Sequence, residues 1–208
     1  MLLFIIVSII MKDIILDFDG VIADTFELHR KKVGEFTGNY FSKNEFRDLH
    51  NGNIFKNKNN NLKNVNWDEY QKYISYDLIN SKLFDDFKKN LGEFRKNRIF
   101  IISSGSSRNI LFFLKNNKID DFFVDILGLE FSKSKILKFK YLFKKYKIKK
   151  SNCFFVTDTL GDLLEANSVG VKTIAVNFGF NDEKTLKNGR PLSVVSSFKD
   201  FFNLISKY

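Results

Sequence analysis

Cysteine and proline are nearly absent from the sequence, which has one of each, Cys153 and Pro191, among 208 residues. A single cysteine excludes an internal disulfide framework and is typical of a reducing compartment, so we expect a cytoplasmic protein. Long apolar runs are also scarce: the longest, residues 1–10, is far shorter than the roughly 20 residues that a membrane-spanning helix needs. We therefore expect no membrane partner.

The apolar residues 1–10 lack the features of a secretory signal, because no basic region precedes them and no small-residue cleavage site follows. Met11 offers a second start, after which the first predicted strand would open the chain. We expect residues 1–10 to come from an upstream start codon; a membrane-associating tail and an extra strand are the alternatives. N-terminal sequencing of the native protein decides, since a mature chain beginning at Met1 would contradict this expectation.

Acidic residues are outnumbered by basic ones, and the net charge is +10. Much of the excess lies in residues 131–150, which contain nine lysines and no acid. The lysines are Lys133, Lys135, Lys138, Lys140, Lys144, Lys145, Lys147, Lys149 and Lys150. Apolar residues recur between them at helical spacing, which predicts an amphipathic helix with a solvated face. A nucleic-acid-binding module is the alternative, but no aromatic-rich binding signature accompanies the lysines, so no nucleic-acid partner is expected.

Four short apolar runs each end in a cluster of polar residues. The runs are residues 14–18, 99–102, 153–156 and 171–176. Runs of this length that are apolar on both faces predict buried parallel strands. Amphipathic patterns between them predict helices over residues 109–116, 134–146 and 162–169. The alternation predicts an α/β fold, a doubly wound parallel sheet that binds its ligands at the carboxyl ends of the strands.

Residues 24–82 interrupt this alternation, because they show helical patterns and no convincing strand. Ser42 and Asn66 each precede a glutamate by three residues, as in a helix-start capping box. A helical insertion directly after the first strand would lie above the carboxyl edge of the sheet as a lid. We therefore divide the chain into a catalytic core, residues 11–23 and 83–208, and a helical cap, residues 24–82.

Asp17 and Asp19 follow the first apolar run and are the most informative pair in the sequence. Side chains alternate along a strand, so the two carboxylates can point the same way while Phe18 points oppositely. Like charges this close repel each other unless a cation lies between them, and hard oxygen ligands suit Mg²⁺. One carboxylate can then attack phosphorus as a nucleophile, and the other can carry a proton to and from the reacting oxygens.

Polar residues at the ends of the other predicted strands fit the same phosphoryl-transfer chemistry. Asp158 and Asp162, four residues apart at the start of a helix, are candidate Mg²⁺ ligands. Ser103 can donate its hydroxyl to a phosphate oxygen, and the amides around Ser104, Gly105 and Ser106 lie at a helix N-terminus and can bind the same anion. A lysine of the lysine-rich segment would neutralise negative charge in the transition state.

These sets together resemble the motifs of the haloacid dehalogenase superfamily, and within it the phosphoglycolate-phosphatase-like phosphatases with a helical cap. The first motif is Asp17-Phe18-Asp19-Gly20-Val21-Ile22, the second is Ser103 after four apolar residues, and the fourth is Asp158-Thr159-Leu160-Gly161-Asp162. The first and fourth motifs are specific as a pair, whereas the second is weak by itself. The likeness runs from about residue 12 to the C-terminus.

The resemblance implies a Mg²⁺-dependent phosphatase that hydrolyses a small phosphorylated metabolite, phosphoglycolate or a similar phosphomonoester. It implies that Asp17 is the nucleophile that forms an aspartyl phosphate, and that Asp19 is the general acid and base, with its backbone carbonyl on Mg²⁺. Asp17, Asp158 and Asp162 would supply the other ligands. Asp19 also favours phosphate esters over halides, because a halide leaving group needs no proton. A sugar phosphomutase on the same core is the alternative enzyme.

The catalytic lysine that the resemblance implies is ambiguous in this sequence. Lys133 and Lys135 both lie at suitable distances before Asp158. We expect Lys135, at the start of the predicted helix, to bind the phosphate and stabilise its charge, with Lys133 as the alternative.

Two histidines and the only tryptophan fall in the predicted cap. His29 and His50 would each touch substrate if the lid closed, but their positions favour ordinary helix-surface histidines. Trp67 is predicted to lie in the core of the cap. The sequence makes no prediction of the oligomeric state.

Overall fold

A parallel sheet forms the centre of the protein in a computed structural model that describes residues 11–56, 62 and 64–208. The strands, in chain order, are β1 (Asp13–Leu16), β2 (Ala23–Asp24), β3 (Lys82–Leu83), β4 (Arg98–Ile102), β5 (Phe123–Leu127), β6 (Cys153–Thr157), β7 (Lys172–Val176) and β8 (Ser193–Val195). Six of them form the sheet in the order β5-β4-β1-β6-β7-β8. The α/β fold predicted from the sequence is confirmed.

The first strand lies in the middle of this sheet and is apolar on both faces, because both faces are covered. Ile14 and Ile15 of β1 point to opposite sides and are fully buried in two separate apolar clusters. The pairing is parallel: Ile14 lies opposite Ile99 of β4 and opposite Phe154 of β6. The strands therefore end at one common edge, the carboxyl edge, where β1 is followed by Asp17.

The described residues between β2 and β3 are mainly helical, as predicted for the cap. Its helices are α1 (Phe26–Thr37), α2 (Lys43–Asp48), α3 (Trp67–Tyr73) and α4 (Ser75–Ile79). Ser42 begins α2 with a complete capping box to Glu45, and the Asn66 side chain caps α3 through the amide of Glu69. The short strands β2 and β3, which the sequence pattern did not reveal, pair in antiparallel fashion and hold the two ends of the segment together. The exact domain boundaries stay a prediction.

Further helices connect and cover the strands of the sheet. They are α5 (Asp85–Lys89), α6 (Leu91–Phe94), α7 (Ser107–Asn116), α8 (Lys135–Tyr146), α9 (Leu160–Ser168), α10 (Glu183–Lys187) and α11 (Phe198–Ile205). Helices α7, α8 and α9 lie within two residues of their predicted bounds. Strands β5 and β8 were not predicted, because both are partly exposed edge strands, Asp125 interrupts the apolar run of β5, and β8 has only three residues.

Helix α8 shows the solvated face that the lysine pattern predicts. Seven of the nine lysines in residues 131–150 are exposed: Lys133, Lys140, Lys144, Lys145, Lys147, Lys149 and Lys150. Lys135 and Lys138 are instead buried against the sheet. The burial of Lys135 agrees with its expected place near the site, whereas that of Lys138 was not predicted.

Across the described residues, none of the helices combines the length and the apolar character that crossing a bilayer requires. The predictions made for residues 1–10 lie outside the described residues. The carbonyl of Met11 accepts a hydrogen bond from the Asn152 side chain at 2.9 Å, so this residue lies beside the amino end of β6.

Candidate active site

The carboxyl edge of the sheet brings the predicted acids together. Asp17 follows β1, and Asp158 follows the neighbouring strand β6. Thr157, the last residue of β6, links the acids through its hydroxyl, which lies 3.5 Å from Asp17 Oδ2 and 3.0 Å from Asp162 Oδ2. Asp162 lies in the first turn of α9, where the partial positive charge of the helix N-terminus favours a carboxylate.

Lys135, the first residue of α8, lies between two of these carboxylates. Its Nζ atom is 2.8 Å from Asp17 Oδ2 and 2.5 Å from Asp162 Oδ2, and its side chain is only 2% exposed. Burial alone would lower the pKa of Lys135, but the two carboxylates raise it above its ordinary value and keep the ammonium charged. Lys133 lies elsewhere, exposed to solvent, with Nζ 5.7 Å from the centre of the Phe55 ring.

The three clustered acids differ in how readily they ionise. Burial raises the pKa of Asp17 well above its ordinary value, although Lys135 opposes the rise. Burial also raises the pKa of Asp158 to about 7. Burial also tends to raise the pKa of Asp162. The charge of Lys135 and the hydrogen bonds of the Asp162 side chain outweigh burial, and they lower this pKa to about 2. The protein therefore only partly offsets the negative charges of ionised Asp17 and Asp158, and such a site suits a further cation.

Asp158 has an oxygen atom that fits such a cation. Its Oδ2 accepts a hydrogen bond from the amide of Phe180 at 2.7 Å, whereas Oδ1 is the only buried side-chain polar atom in the described residues without a hydrogen-bond partner. A buried carboxylate oxygen without a partner is costly unless a ligand compensates it. Gly20 lets the backbone approach this carboxylate closely, since it has a φ of 73° and a Cβ atom there would overlap Oδ2 of Asp158.

The donor set at this edge consists of oxygen atoms, which suit Mg²⁺. Among the residues that the structure describes, no three acidic, histidine or cysteine side chains converge closely enough to enclose a metal ion by themselves. Mg²⁺ does not require such a cage, because it keeps several waters and is held by one or two carboxylates together with a substrate phosphate. The assignment of Asp17, Asp19, Asp158 and Asp162 as ligands stays a prediction.

Asp19 is held by two residues at the beginning of the cap. Its Oδ1 accepts a hydrogen bond from Thr25 Oγ1 at 2.8 Å and lies 3.0 Å from His29 Nε2. The other ring nitrogen of His29 is 3.0 Å from the hydroxyl of Tyr70. Burial alone would raise the pKa of Asp19, but His29 and Thr25 lower it below its ordinary value. The prediction of an ordinary surface histidine at position 29 was therefore wrong. The sequence signal that could have indicated this contact is the spacing of four residues between Thr25 and His29.

Ser103 follows β4 as predicted and is fully buried. Its Oγ accepts a hydrogen bond from the amide of Gly105 at 2.9 Å, and the amide of Ser106 donates to Gln71 Oε1 of the cap at 2.9 Å. Two amides at the start of α7 are thus engaged within the protein, which differs from the expectation that they are available to an anion. Ser104 and Gly105 line the cavity under the cap, and their phosphate-binding role, like that of Ser103, stays a prediction.

Lys138 lies beneath the site, one helical turn after Lys135. It is fully buried, and its Nζ donates a hydrogen bond to the backbone carbonyl of Ser103. Burial, together with the nearby ammonium of Lys135, lowers the pKa of Lys138 to about 7. Nothing in the sequence separates it from the exposed lysines around it, except that it shares a helix face with Lys135 and Leu142.

We expect Lys138→Met to remove part of the pH dependence of stability. The Lys138 amine has an ordinary pKa of 10.5, and in the folded protein it is about 7, so between these values the unfolded chain binds the extra proton and the free energy of unfolding rises with pH. Methionine binds no proton. The substitution should therefore stabilise the protein more at pH 7 than at pH 9, by about 2 kcal/mol.

Urea unfolding at both pH values measures this difference. The exposed Lys140→Met is the matched control, for which we expect no change with pH. An effect of Lys138→Met that is equal at pH 7 and pH 9 would contradict the account of this buried amine.

The cap lies over the carboxyl edge and leaves a cavity of about 90 Å³. The amide of Gly161, in α9, donates to the carbonyl of His50 at 3.0 Å, so the backbones of core and cap touch directly. Asp17, Asp19 and Lys135 line this cavity together with aromatic side chains of the cap. The candidate nucleophile, proton carrier and cation therefore face one common cavity.

Comparisons with known proteins agree with this geometry. Residues 14–176 match the family model of the haloacid dehalogenase-like hydrolases. A phosphoglycolate phosphatase of Vibrio parahaemolyticus is 22% identical over 131 residues, which cover 61% of this chain and 58% of that protein. A phosphoglycolate phosphatase of Mannheimia succiniciproducens is 23% identical over 144 residues, which cover 66% of this chain and 64% of that protein. The chain thus spans less than two thirds of the length of these curated relatives.

Solved structures share the fold. A haloacid dehalogenase-like hydrolase from Streptococcus pneumoniae has a TM-score of 0.76 at 17% identity, covering 93% of this chain and 98% of its own. A predicted phosphatase from Clostridium acetobutylicum has a TM-score of 0.78 at 19% identity, covering 95% of this chain and 99% of its own. Identities this low support the fold alone. Because the family model covers most of the sequence, the chain belongs to the haloacid dehalogenase-like hydrolases.

Proposed function

We propose that the protein is a Mg²⁺-dependent phosphatase that hydrolyses a small phosphomonoester through an aspartyl phosphate on Asp17. The observation that carries this proposal is the Lys135 ammonium, 2.8 Å from Asp17 and 2.5 Å from Asp162 in the cavity that Asp19 also lines. A nucleophile, a proton carrier and a fixed cation are the groups that phosphoryl transfer needs. The phosphatase names of the curated relatives support the same reaction class.

The proposed reaction has two steps. In the first, the Asp17 carboxylate attacks phosphorus, the bond from phosphorus to the alcohol oxygen breaks, and Asp19 gives its proton to that oxygen. This step requires that Asp19 is protonated when the substrate is bound. In the second, Asp19 takes a proton from a water molecule whose oxygen attacks phosphorus, and the bond from phosphorus to Asp17 breaks. Inorganic phosphate leaves and both carboxylates return to their starting state. Lys135 remains charged and offsets the negative charge on the phosphoryl oxygens.

Asp17, Asp158 and the backbone carbonyl of Asp19 are the groups that we propose to hold Mg²⁺, with Asp162 beside them. The unpartnered Oδ1 of Asp158 supports this assignment. When bound, the cation neutralises charge on the phosphate oxygens.

The support given to Asp19 favours an oxygen leaving group. Thr25 and His29 both contact its carboxylate and fix its position, which supports the proposed role of Asp19 as the proton carrier. An alcohol oxygen needs that proton when its bond to phosphorus breaks, whereas a halide does not. The single, fully buried Cys153 is compatible with the cytoplasmic location that we propose.

A phosphate-release assay against a panel of phosphorylated metabolites, with Mg²⁺ or with a chelator, tests this function. We expect Mg²⁺-dependent release of inorganic phosphate from at least one ester. Formation of an isomeric sugar phosphate without phosphate release would instead indicate the phosphomutase. Absence of release from every ester would reject the proposed function.

We expect His29→Leu to lower kcat about tenfold and to shift the pH profile. Leucine removes a group that lowers the pKa of Asp19, so this pKa rises. The second step needs ionised Asp19, so the acid limb of the pH–rate profile should move to higher pH. His29→Gln keeps a hydrogen-bond donor and should retain more activity. A pH–rate profile that is unchanged in His29→Leu would show that His29 does not act through Asp19.

A further inference from the structure

One wall of the cavity is mainly aromatic. It contains a first aromatic group, Phe55, Trp67 and Tyr70, contributed by the cap. The ring centre of Trp67 lies 5.6 Å from that of Phe55 and 5.7 Å from that of Tyr70, both in edge-to-face contact. The partly exposed rings of Phe55 and Trp67 therefore give this side of the cavity an apolar lining, whereas Tyr70 is only 2% exposed.

A second aromatic group, Phe46, His50 and Phe180, lines the same cavity. The ring of His50 lies 5.0 Å from that of Phe46 and 4.9 Å from that of Phe180. Burial lowers the pKa of His50 to about 4, so the imidazole is neutral at pH 7. Phe180 belongs to the core and Phe46 to the cap, so this wall is completed only when the two are in contact.

The charged groups that face the cavity are mainly acidic. They are Asp17, Asp19, Asp162, Glu165 and, as the only ammonium in the described part of the lining, Lys135. Lys135 already bridges Asp17 and Asp162. Within the described part of the lining, a carboxylate on the substrate would therefore meet mainly like charges and uncharged side chains, and no ammonium that is not already paired with carboxylates.

The cavity volume of about 90 Å³ also limits the occupant. Sites that enclose drug-sized ligands measure roughly 300–1,000 Å³, so this arrangement suits a compact molecule rather than a nucleotide. A phosphoryl group at the carboxylates leaves room for a small apolar group against the rings.

We propose that the cavity takes phosphomonoesters whose alcohol part is small, uncharged and aromatic, in preference to phosphorylated carboxylic acids. This inference rests on the proposed phosphatase function and specifies its substrate class. The phosphoryl group lies at Asp17, and the alcohol part lies against the aromatic lining of the same cavity. Phosphoglycolate, the substrate in the names of the curated relatives, carries a carboxylate and is the disfavoured class.

Four esters of similar alcohols test this preference without the bias of an activated leaving group. Benzyl phosphate and ethyl phosphate differ by the aromatic ring, and phosphoglycolate and 2-hydroxyethyl phosphate differ by the carboxylate. We expect kcat/KM to be about 10- to 100-fold higher for benzyl than for ethyl phosphate, as burial of one ring predicts. We expect phosphoglycolate to be at least about tenfold poorer than 2-hydroxyethyl phosphate.

Substitutions in the wall test whether the rings cause the preference. In Trp67→Leu the ratio of kcat/KM for benzyl over ethyl phosphate should fall to within about threefold of unity. Phe55→Leu, a smaller change on the partly exposed side of the same group, should lower the ratio in the same direction. Tyr76→Leu, at a cap position that is 77% exposed and outside the cavity, is the matched control and should leave both rates unchanged.

The outcomes separate this inference from the function on which it rests. Hydrolysis with phosphoglycolate as the best substrate, or with benzyl no better than ethyl phosphate, would overturn the substrate class and leave the phosphatase function intact. Benzyl preference that survives in both wall variants would overturn the role of the rings. Hydrolysis of none of the four esters, together with none in the metabolite panel, would overturn the phosphatase function and this inference with it.

Discussion

Asp17→Asn should abolish turnover while leaving the fold intact. Asparagine keeps the size of the side chain but cannot form an acyl phosphate, so we expect kcat to fall by on the order of 10⁴-fold or more. Folding should survive, because Lys135 keeps Asp162 as a partner and the substitution removes a buried charge whose pKa is already raised. The rate of phosphate release at a saturating concentration of one substrate measures the fall in kcat. Near-ultraviolet circular dichroism checks the fold.

The matched control is Asp121→Asn, which makes the same chemical change at an exposed position. Asp121 pairs with Arg95 on the surface, away from the carboxyl edge, and its loss should leave kcat unchanged. Retention of more than about a hundredth of the activity in Asp17→Asn would remove Asp17 from the role of nucleophile.

Lys135→Met should cause a comparable loss of activity and a loss of stability. Without the ammonium, Asp17 and Asp162 are left buried with no cation between them, and breaking a buried ion pair from one side costs on the order of 3 kcal/mol. Urea unfolding and phosphate release measure the two effects separately.

Lys133→Met, two residues earlier in the chain, is both the control and the test of the alternative. Lys133 is exposed and lies over Phe55, so we expect its substitution to leave stability and kcat nearly unchanged. Full activity in Lys135→Met, combined with inactivity in Lys133→Met, would assign the catalytic lysine to position 133.

The core of the fold was predictable because its central strands are apolar on both faces. Ile14, Ile15 and the runs at 99–102 and 153–156 have no polar residue to suggest an exposed face, and each ends in the residues that form the site. Strand β5 was not predicted because Asp125 interrupts its apolar run. It lies at the edge of the sheet, where most of its side chains are only partly buried. Strand β8 has only three residues.

The acids of the site were predictable from local order, because Asp17, Asp158 and Asp162 stand next to strands whose ends must meet in a parallel sheet. The residues that contact these acids were harder to predict from the sequence. The contact of His29 with Asp19 depends on the direction in which α1 leaves β2, and that direction is set by tertiary packing. Lys138 differs from its exposed neighbours only by the rotation of α8 against the sheet.

The covalent step is tested most directly by trapping the phosphoryl group. In Asp19→Asn the nucleophile remains but the base for the second step is lost, so an intermediate should accumulate. With 4-nitrophenyl phosphate, whose leaving group needs no proton, we expect a burst of one nitrophenolate per chain and one phosphoryl group, located by peptide mass spectrometry on Asp17. A phosphoryl group on another residue, or steady nitrophenolate release with no burst and no modified Asp17, would contradict the proposed mechanism.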